Sequence, residues 1–477
     1  MPPVFIKTRV RDLEVTRVKK SIIILLVALV SMLFLLSSCT HDTDPEERTL
    51  WIVTEESVAD GMNWQAKNSI KDFEKANPDV KVELEILPNE KEHTQERAIR
   101  LEKIRADILA GKGPDGYLLP NETFMSEPLF KDVQQAMYNG VFADISPYYD
   151  ADGALGKDDL ITEVMDGGTV NGARYVLPLR YTYPVLYTER QLLRSTDLDL
   201  EAAASDCNSL FSALAANSDP KWYCKPVAAA CTCYAPFLPQ MIDYASGKVL
   251  INEAQMSAFL TICRGQSDTA APSFGMSDYI YKGTVFTEQQ PIYMGWLHSA
   301  VALSAISKAE NQDLVAVPVR AADGDLVACV GYYAAVGNGC SDPGLAYSFL
   351  REFLTEEVQF ERERLELSIY SATTIASGLP VRIKGKVADL WEMYQKIYKG
   401  LGAEPDQTSR KKAVMAVSLT QADVPILDTH IDRVYFTSSF DQQIMTAAVG
   451  RVLFEQADID TVAQELIFQL RVHAAEG

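Results

Sequence analysis

The stretch that most constrains the fold runs from residue 172 to 193, GARYVLPLRYTYPVLYTERQLL. Val, Leu and Tyr dominate it, which favours extended chain over helix. Two β-rich runs, 175–179 and 184–188, are joined through Arg180, Tyr181, Thr182 and Tyr183. A proline in each run removes a donor from the strand ladder. The pattern predicts a strand that leaves one sheet and enters another; the alternative is a Tyr-rich strand at a sheet edge.

A repeated order of strands and helices precedes this stretch. Short apolar runs at 50–54 and 117–119 and a cleanly alternating run at 80–86 predict strands, and the segments between them have helical spacing of apolar residues. The order β-α-β-α-β implies a parallel sheet with helical crossovers. The loop 111–116, GKGPDG, matches GxGxxG, but it follows a helix and precedes a strand, the reverse of a dinucleotide-binding loop.

The N-terminus has the pattern of a signal peptide. Residues 1–20 carry six basic and two acidic side chains, and residues 21–36 are almost wholly apolar. The sequence Leu-Ser-Ser-Cys at 36–39 matches the lipobox of bacterial lipoproteins, which implies lipidation of Cys39. The alternative is a single membrane-spanning anchor. Both interpretations place the body of the chain outside the cytoplasm.

The charge is strongly acidic. The formal net charge is −21, and loss of the leader with its excess of four positive charges would leave −25. Such a surface repels nucleic acid, so we expect no nucleic-acid partner.

Eight cysteines are present, and seven remain if Cys39 is lipidated. An odd number outside the cell leaves at least one thiol free or paired with another chain. One or two local disulfides could form within residues 207–233, or all the thiols could stay reduced. No CxxC pair or neighbouring histidine completes a zinc pattern. The seven are Cys207, Cys224, Cys231, Cys233, Cys263, Cys329 and Cys340.

The pattern GxxYxLPxxxxxxxLYxxxxLL at 172–193 resembles the first interlobe crossover of extracellular solute-binding proteins of the maltose-binding type, the receptors of ABC importers. FEKANPDVKVELE at 73–85 and IRADILAGKGPDGYLL at 104–119 resemble the first repeat of that family, and later segments follow in the family's order. The resemblance implies an α/β, two-lobed, type II periplasmic-binding-protein-like fold. Each lobe would be a mainly parallel sheet flanked by helices, and the chain would cross between the lobes several times.

We expect the following organisation from this resemblance: a lipoprotein signal peptide at 1–38, a tether at 39–48, lobe 1 at 49–180 and 312–365, and lobe 2 at 181–311 and 366–477. Near the C-terminus, the pattern Thr461-Val-Ala-Gln464 predicts a capping box opening an amphipathic helix, with Val462, Leu466 and Leu470 facing inward.

The resemblance also implies a set of residues in the ligand cleft. Trp296 would stack on a sugar ring, although it could instead belong to an interlobe core. Glu55 and Glu56 are added because they follow the first strand at its carboxyl end, where α/β sheets bind ligands; a solvated loop is the alternative for them. The remaining cleft candidates are Arg180, Tyr181, Tyr183, Tyr332, Tyr333, Tyr435 and Phe440.

No sequence motif of a nucleophile elbow, a zinc protease or a phosphate loop occurs, and five histidines lack ligand spacing. We therefore predict no enzyme, cofactor or metal. The predicted function is a monomeric, lipid-anchored receptor that captures a carbohydrate-like solute by hinge closure and delivers it to ABC permease subunits. Two alternatives remain open: a receptor of the same fold used for sensing or adhesion, and a surface-anchored enzyme acting on glycans.

Overall fold

The structure is a computed structural model that describes residues 48–55, 61–90, 92–121, 127–189, 205–216, 234, 237–238, 240–265, 292–296, 314–359, 378–382 and 429–476. The leader, Cys39, Glu56 and the cysteines at 224, 231 and 233 lie outside these ranges. Among the helices of these ranges, none combines the length and the apolar character needed to cross a membrane.

The strands are β1 (Arg48–Glu55), β2 (Val80–Leu87), β3 (Gly116–Pro120), β4 (Thr169–Val170), β5 (Ala173–Arg174), β6 (Val176–Thr182), β7 (Pro184–Glu189), β8 (Ile242–Asp243), β9 (Lys248–Val249), β10 (Ile292–Trp296), β11 (Leu314–Pro318), β12 (Val327–Val336), β13 (Leu379–Pro380) and β14 (Arg433–Tyr435). The helices are α1 (Gly61–Ala76), α2 (Thr94–Leu109), α3 (Val133–Tyr138), α4 (Ser146–Ala151), α5 (Thr162–Asp166), α6 (Cys207–Ala216), α7 (Glu253–Gly265), α8 (Pro343–Leu350), α9 (Ser439–Phe454) and α10 (Ile459–Glu476). Two 3₁₀ turns occupy Lys157–Asp159 and Arg351–Leu354.

A seven-stranded sheet with the order β13-β6-β12-β3-β1-β2 forms the largest layer, and β14 pairs with β12 beside this path. β1 and β3 are parallel, as the β-α-β-α-β order predicts. β12 runs antiparallel to both β3 and β6, so β1, β3 and β6 share one direction. Their carboxyl ends therefore lie at one edge of the sheet. Beyond the carboxyl end of β3, β14 pairs with the first residues of β12.

The loop 111–116 carries the chain from α2 to β3 at the opposite edge. Gly111 has a φ of 68°, a left-handed conformation that glycine adopts without steric cost. The Asp115 carboxylate accepts a hydrogen bond of 2.9 Å from the backbone N–H of Trp51 at the edge of β1. Asp115 therefore has a structural role, because it fixes the loop to β1.

The predicted crossover between sheets is confirmed. β6 belongs to the seven-stranded sheet, and β7 forms an antiparallel three-stranded sheet with β10 and β11. Tyr183 is the single residue between the two strands, and Pro184, which has no N–H to donate, begins the second.

Three strand pairings differ from the predicted lobe assignments. β11, predicted in lobe 1, pairs with β7, so the chain returns to the larger sheet only after Pro318. β13 and β14, predicted in lobe 2, pair with β6 and β12 of the larger sheet. Short strands of this kind take their position from partners distant in sequence, which local motifs do not specify.

Two hydrophobic clusters make up much of the interior. The sheet cluster packs α2, α3 and residues such as Tyr117, Phe142 and Phe436 against the seven-stranded sheet. The helical cluster joins α7, α9 and α10 with Leu238, Met241 and Ile242.

The C-terminal helix is amphipathic as predicted. Val462, Leu466 and Leu470 are all buried. The predicted capping box is displaced, because the helix begins at Ile459 and Asp458 caps it by accepting the Thr461 backbone N–H at 2.9 Å.

The chain divides into two compact units, one of residues 1–48 and 79–81 and the other of residues 49–78 and 82–477. Within the described part of the first unit, the Arg48 guanidinium pairs with the Asp79 carboxylate at 2.8 Å. The residues of the candidate site described below belong to the second unit.

Candidate functional site

A recess opens where β14 continues the line of β3 at the carboxyl edge of the larger sheet. Its enclosed part has a volume of about 20 Å³, and the wider space of about 330 Å³ around it includes open solvent. We call it the acidic recess, since two aspartates contribute to its wall. Its lining consists of Asp132, Gln134, Tyr234, Leu238, Gln240, Met241, Ile242, Tyr244, Tyr435, Phe436 and Asp441.

Both hydrophobic clusters contribute to the wall of the acidic recess. Phe436 belongs to the sheet cluster, whereas Leu238, Met241 and Ile242 belong to the helical cluster. A solute in the recess would therefore contact both clusters at once.

Asp132 is positioned by the start of α3. Its backbone is extended, and its Oδ1 accepts the Gln135 backbone N–H at 2.8 Å as the helix N-cap. Its Oδ2 accepts a hydrogen bond of 2.5 Å from the Tyr244 hydroxyl, which lies near the helical cluster. The side chain is buried, so this hydrogen bond links the two halves of the wall in a site of low polarity.

Asp441 lies in the first turn of α9, three residues after the N-cap Ser438. Its backbone N–H bonds the Ser438 hydroxyl at 3.3 Å, but its Oδ1 is buried and has no hydrogen-bond partner among the described residues. The hydroxyl of Tyr234 is likewise buried without a partner in the described part of the chain. Both residues line the acidic recess.

A buried polar junction holds the segment that carries Tyr435 and Phe436. The Asn121 amide at the end of β3 donates to the Val330 carbonyl at 3.0 Å and to the Thr437 hydroxyl at 3.1 Å. The Cys329 thiol contacts the same hydroxyl at 3.7 Å. Burial raises the pKa of this thiol to about 11, so it stays protonated and structural at neutral pH.

The electrostatics of the acidic recess are dominated by buried carboxyl groups. Burial raises the pKa of Asp132, while the bonds from Tyr244 and Gln135 and the charge of His473 oppose that rise. Burial and the neighbouring Asp132 raise the pKa of Asp441 well above its usual range. Both pKa values rise mainly because burial removes water from the ionised carboxylate, and Asp441 also lies close to the negative charge of Asp132.

Two of the predicted cleft residues lie at or beside the acidic recess. Tyr435 lines it. Phe440 packs against the helical cluster and stacks on His473 with ring centroids 3.9 Å apart. Tyr333 packs against Phe436 in an edge-to-face arrangement, with ring centroids 5.8 Å apart.

Four other predicted residues are buried on β6, on β12 and at the crossover residue Tyr183. Arg180 is 2% exposed and donates to the Gln359 carbonyl at 2.9 Å. The rings of Tyr181 and Tyr183 stack with centroids 6.4 Å apart. The Tyr332 hydroxyl lies 3.4 Å from the Thr54 hydroxyl. These side chains are buried against protein and do not line the acidic recess, and their role in binding stays a prediction.

Glu55 ends β1 at the expected edge, but it is not in a solvated loop. Arg97 pairs with both of its oxygens, at 2.6 and 2.8 Å, and burial raises the pKa of the carboxyl group against the effect of that pairing. Glu56 lies outside the described residues. The backbone of Trp296 pairs with Pro184, next to the crossover, and its side chain lies outside the described part.

Sequence reasoning missed Asp132, Tyr234, Tyr244 and Asp441. Two local signals could have found the aspartates, since Asp132 precedes a helical segment and Ser438 is followed by Asp441 three positions later, both typical of helix starts. No local pattern indicates that Tyr244 hydrogen-bonds Asp132, because the two residues are 112 positions apart in the sequence. Among the described residues, no group of His, Cys, Asp and Glu side chains could hold a metal ion.

Comparison with known proteins gives the same family as the motifs. Residues 63–238 match the family model described as bacterial extracellular solute-binding protein. Among curated protein sequences there is no match to this chain.

Solved structures similar to this one cover nearly the whole chain. The sugar-binding protein MalE from Xanthomonas citri has a TM-score of 0.57 at 14% identity, covering 90% of this chain and 98% of its own. The cyclic alpha-maltosyl-1,6-maltose binding protein from Arthrobacter globiformis has a TM-score of 0.56 at 15% identity, with 90% and 99% covered. A periplasmic oligogalacturonide binding protein from Yersinia enterocolitica has a TM-score of 0.55 at 14% identity, again with 90% and 99% covered.

At these identities the structural likeness establishes the fold, and the family match establishes the resemblance over 63–238. The chain therefore has the type II periplasmic-binding-protein fold, and its resemblance to the bacterial extracellular solute-binding proteins is confirmed.

Proposed function

We propose that this protein is the lipid-anchored extracytoplasmic receptor of an ABC importer, and that it captures a carbohydrate-like solute in the acidic recess. One observation carries the proposal: the recess lies at the carboxyl edge of the parallel strands and takes its wall from both hydrophobic clusters. Ligands of open α/β sheets bind outside the carboxyl ends of the strands.

The side chains of the recess suit a solute with many hydroxyl groups. Carboxylate, phenol and amide oxygens accept hydrogen bonds from hydroxyls, and Gln134 and Gln240 can also donate them. The aromatic rings of Tyr234, Tyr435 and Phe436 offer apolar faces for the C–H surface of a sugar. The names of the similar structures, which are binding proteins for sugars and oligogalacturonides, support this class of solute.

The proposed mechanism is closure of two lobes around the solute. The connections between β6 and β7 and between β11 and β12 each join the two sheets, so they are the candidate hinges. A solute favours the closed form only if it binds that form better, which requires contact with both sides of the recess. Trp296 and the buried tyrosines at the crossover are proposed to complete the contacts on closure.

Lipidation of Cys39 would hold the receptor at the membrane surface, and the polar residues 40–48 would act as its tether. The closed receptor would then dock on the membrane subunits of the importer as a monomer. The apolar leader and the lipobox support this location.

A binding screen tests the capture step. The full-length protein is titrated with neutral, acidic and amino sugars, oligosaccharides and polyols, and its melting temperature is recorded. A true solute at about a hundred times its dissociation constant should add about 2.7 kcal/mol to the free energy of unfolding. Calorimetry should then give one site per chain and no product. Turnover of a glycoside, or no stabilisation by any member of the panel, would contradict the proposal.

Deletion of the gene tests the delivery step. Uptake of the identified solute should fall in the deletion strain and recover on complementation. The variant Cys39→Ala should bind the solute unchanged in vitro but restore uptake poorly, because it would not be retained at the membrane. Normal uptake without the protein would favour a sensing or adhesion role.

A further inference from the structure

The lining of the acidic recess has a consistent sign of charge. Of its described lining residues, Asp132 and Asp441 are acidic, and none is lysine or arginine. His473 is the basic group that acts on Asp132 electrostatically, and its ring also faces Tyr244, with centroids 6.3 Å apart. An anionic solute would therefore meet repulsion in this recess.

Two buried atoms at the recess lack a partner in the described part of the chain: Oδ1 of Asp441 and the hydroxyl of Tyr234, whose side chain is only 4% exposed. A buried polar group without a hydrogen bond is destabilising, so native proteins rarely retain one without a reason. A ligand that donates hydrogen bonds into the recess would remove both costs.

The position of Asp441 has a simpler partial explanation. A carboxylate in the first turn of a helix interacts favourably with the helix dipole, and Asp441 lies in the first turn of α9. The helix dipole would be a sufficient explanation for an aspartate at this position if both of its carboxylate oxygens were exposed to water. It does not account for a buried Oδ1 beside a second buried carboxyl group and an unpartnered phenol.

The remaining wall of the recess is aromatic. Tyr234, Tyr244, Tyr435 and Phe436 all line it. Aromatic faces attract cations through their quadrupole, and they do so most strongly where water is excluded. Carboxylates together with aromatic faces form a binding environment for an ammonium group, whereas a neutral hydroxyl brings no charge to pair with an ionised carboxylate.

We propose that the acidic recess binds its solute through a protonated amino group, which contacts the Asp441 carboxylate and the surrounding aromatic rings. This inference rests on the proposed function and specifies its solute as an amine, in the first place an amino sugar. Both oxygens of Asp132 already accept hydrogen bonds, so Asp132 contributes its charge and Asp441 provides the direct contact. Burial and Asp132 raise the pKa of Asp441, and a bound cation would lower it again.

Matched probes isolate the contribution of the amine. The full-length protein is titrated with glucosamine, N-acetylglucosamine, glucose and glucuronate at pH 6.5, and spermidine serves as an amine without a sugar. Glucosamine should bind at least tenfold more tightly than N-acetylglucosamine and glucose, a difference of about 1.4 kcal/mol. Glucuronate should bind most weakly. Comparable affinity for spermidine would assign the site to amines in general, and weaker binding would assign it to amino sugars.

Two variants assign the preference to the recess. Asp441→Asn should lose most of the tenfold preference for glucosamine over N-acetylglucosamine and glucose, because the asparagine amide carries no charge to pair with the ammonium group. Asp72→Asn removes the same charge from an exposed position on α1 and should keep the preference. Circular dichroism and melting temperature establish that both variants are folded.

Several results would overturn the inference. They are equal affinity for glucosamine and N-acetylglucosamine, tight binding of glucuronate, a preference that survives in Asp441→Asn, and no binding of glucosamine or spermidine. If neutral or acidic carbohydrates still bind in those cases, the proposed receptor function stands and only the amine specificity fails. If the whole carbohydrate panel fails as well, the proposed function also falls.

Discussion

Two neighbouring aspartates distinguish the acidic recess at the scale of single residues: Asp132 is buried, and Asp441 has a buried Oδ1. Asp132 and Asp441 interact where water is excluded, and the one basic group that acts on Asp132 is the partly buried His473. If these aspartates served only to stabilise the fold, we would expect each carboxylate to pair with a basic side chain, as Glu55 pairs with Arg97 through two hydrogen bonds. Binding sites commonly sacrifice stability in this way.

The first prediction concerns Asp441→Asn and the pH dependence of stability. The pKa of Asp441 in the folded protein is raised above its ordinary value near 3.9. The contribution of this carboxyl group to the free energy of unfolding is therefore complete below about pH 4, and it is lost as pH rises through the folded pKa. The variant should therefore raise the free energy of unfolding at pH 7 by about 1 kcal/mol or more.

Urea denaturation at pH 4 and pH 7, followed by circular dichroism without ligand, measures this effect. The gain should shrink at pH 4, where the wild-type carboxyl group is protonated. Asp72→Asn should show no such gain at either pH. A variant less stable than wild type at pH 7 would show that the Asp441 carboxylate is stabilising, through the helix dipole for instance.

The second prediction concerns Trp296, whose backbone pairs with Pro184 beside the crossover. If its ring stacks on the solute on closure, Trp296→Ala should weaken binding at least tenfold, or about 1.4 kcal/mol. Isothermal titration with the identified solute measures the change, and Trp296→Phe should recover part of it. Unchanged affinity would remove Trp296 from the site.

The crossover is the central feature at the scale of secondary-structure elements. β6 and β7 are separated by Tyr183 alone, so any movement of one sheet relative to the other must be absorbed within a few residues. β13 packs directly against this segment, because Leu379 pairs with Tyr181. The glycine that begins this contact, Gly378, has a φ of 121°.

The third prediction compares Gly378→Ala with Gly140→Ala. Both glycines have positive φ, so alanine is strained at each position. A Cβ at 378 would also lie 2.3 Å from the Tyr181 carbonyl oxygen, whereas a Cβ at 140 would have no neighbour within 4 Å. Gly378→Ala should therefore cost about 3 kcal/mol or more, against about 1 kcal/mol for Gly140→Ala. Chemical denaturation measures both, and equal costs would mean that β13 does not pack closely on the crossover.

The proposed closure around a solute is a property of the whole molecule. The recess takes its wall from the sheet cluster and from the helical cluster, so one solute can bias how these parts are arranged. The fourth prediction is that the radius of gyration of the full-length protein falls when a solute from the binding screen saturates it. Small-angle X-ray scattering measures the change, and a sugar that gave no thermal stabilisation is the control. An unchanged radius with a tightly bound solute would contradict hinge closure.

Residues with a strong local pattern were predicted well. The alternation at 80–86 and the spacing of Val462, Leu466 and Leu470 specify which face is buried, and the structure confirms these faces at the C-terminal helix. The change of sheet at Tyr183 was also predicted, because tyrosines and prolines interrupt an otherwise aliphatic strand. The helix cap at Asp458 was displaced by three residues because two overlapping polar patterns compete there.

The sequence by itself therefore determined the fold class, the order of the first strands and helices, and the position of the crossover, since each depends on residues close together in the chain. Only the tertiary structure decided which polar side chains meet. Asp132, Tyr234, Tyr244 and Asp441 come from four separate segments, and the pairing of distant strands and helices brings them to one recess. It also decided that Glu55 and Arg180 are buried with protein partners, because burial and partnership depend on neighbours that sequence spacing does not reveal.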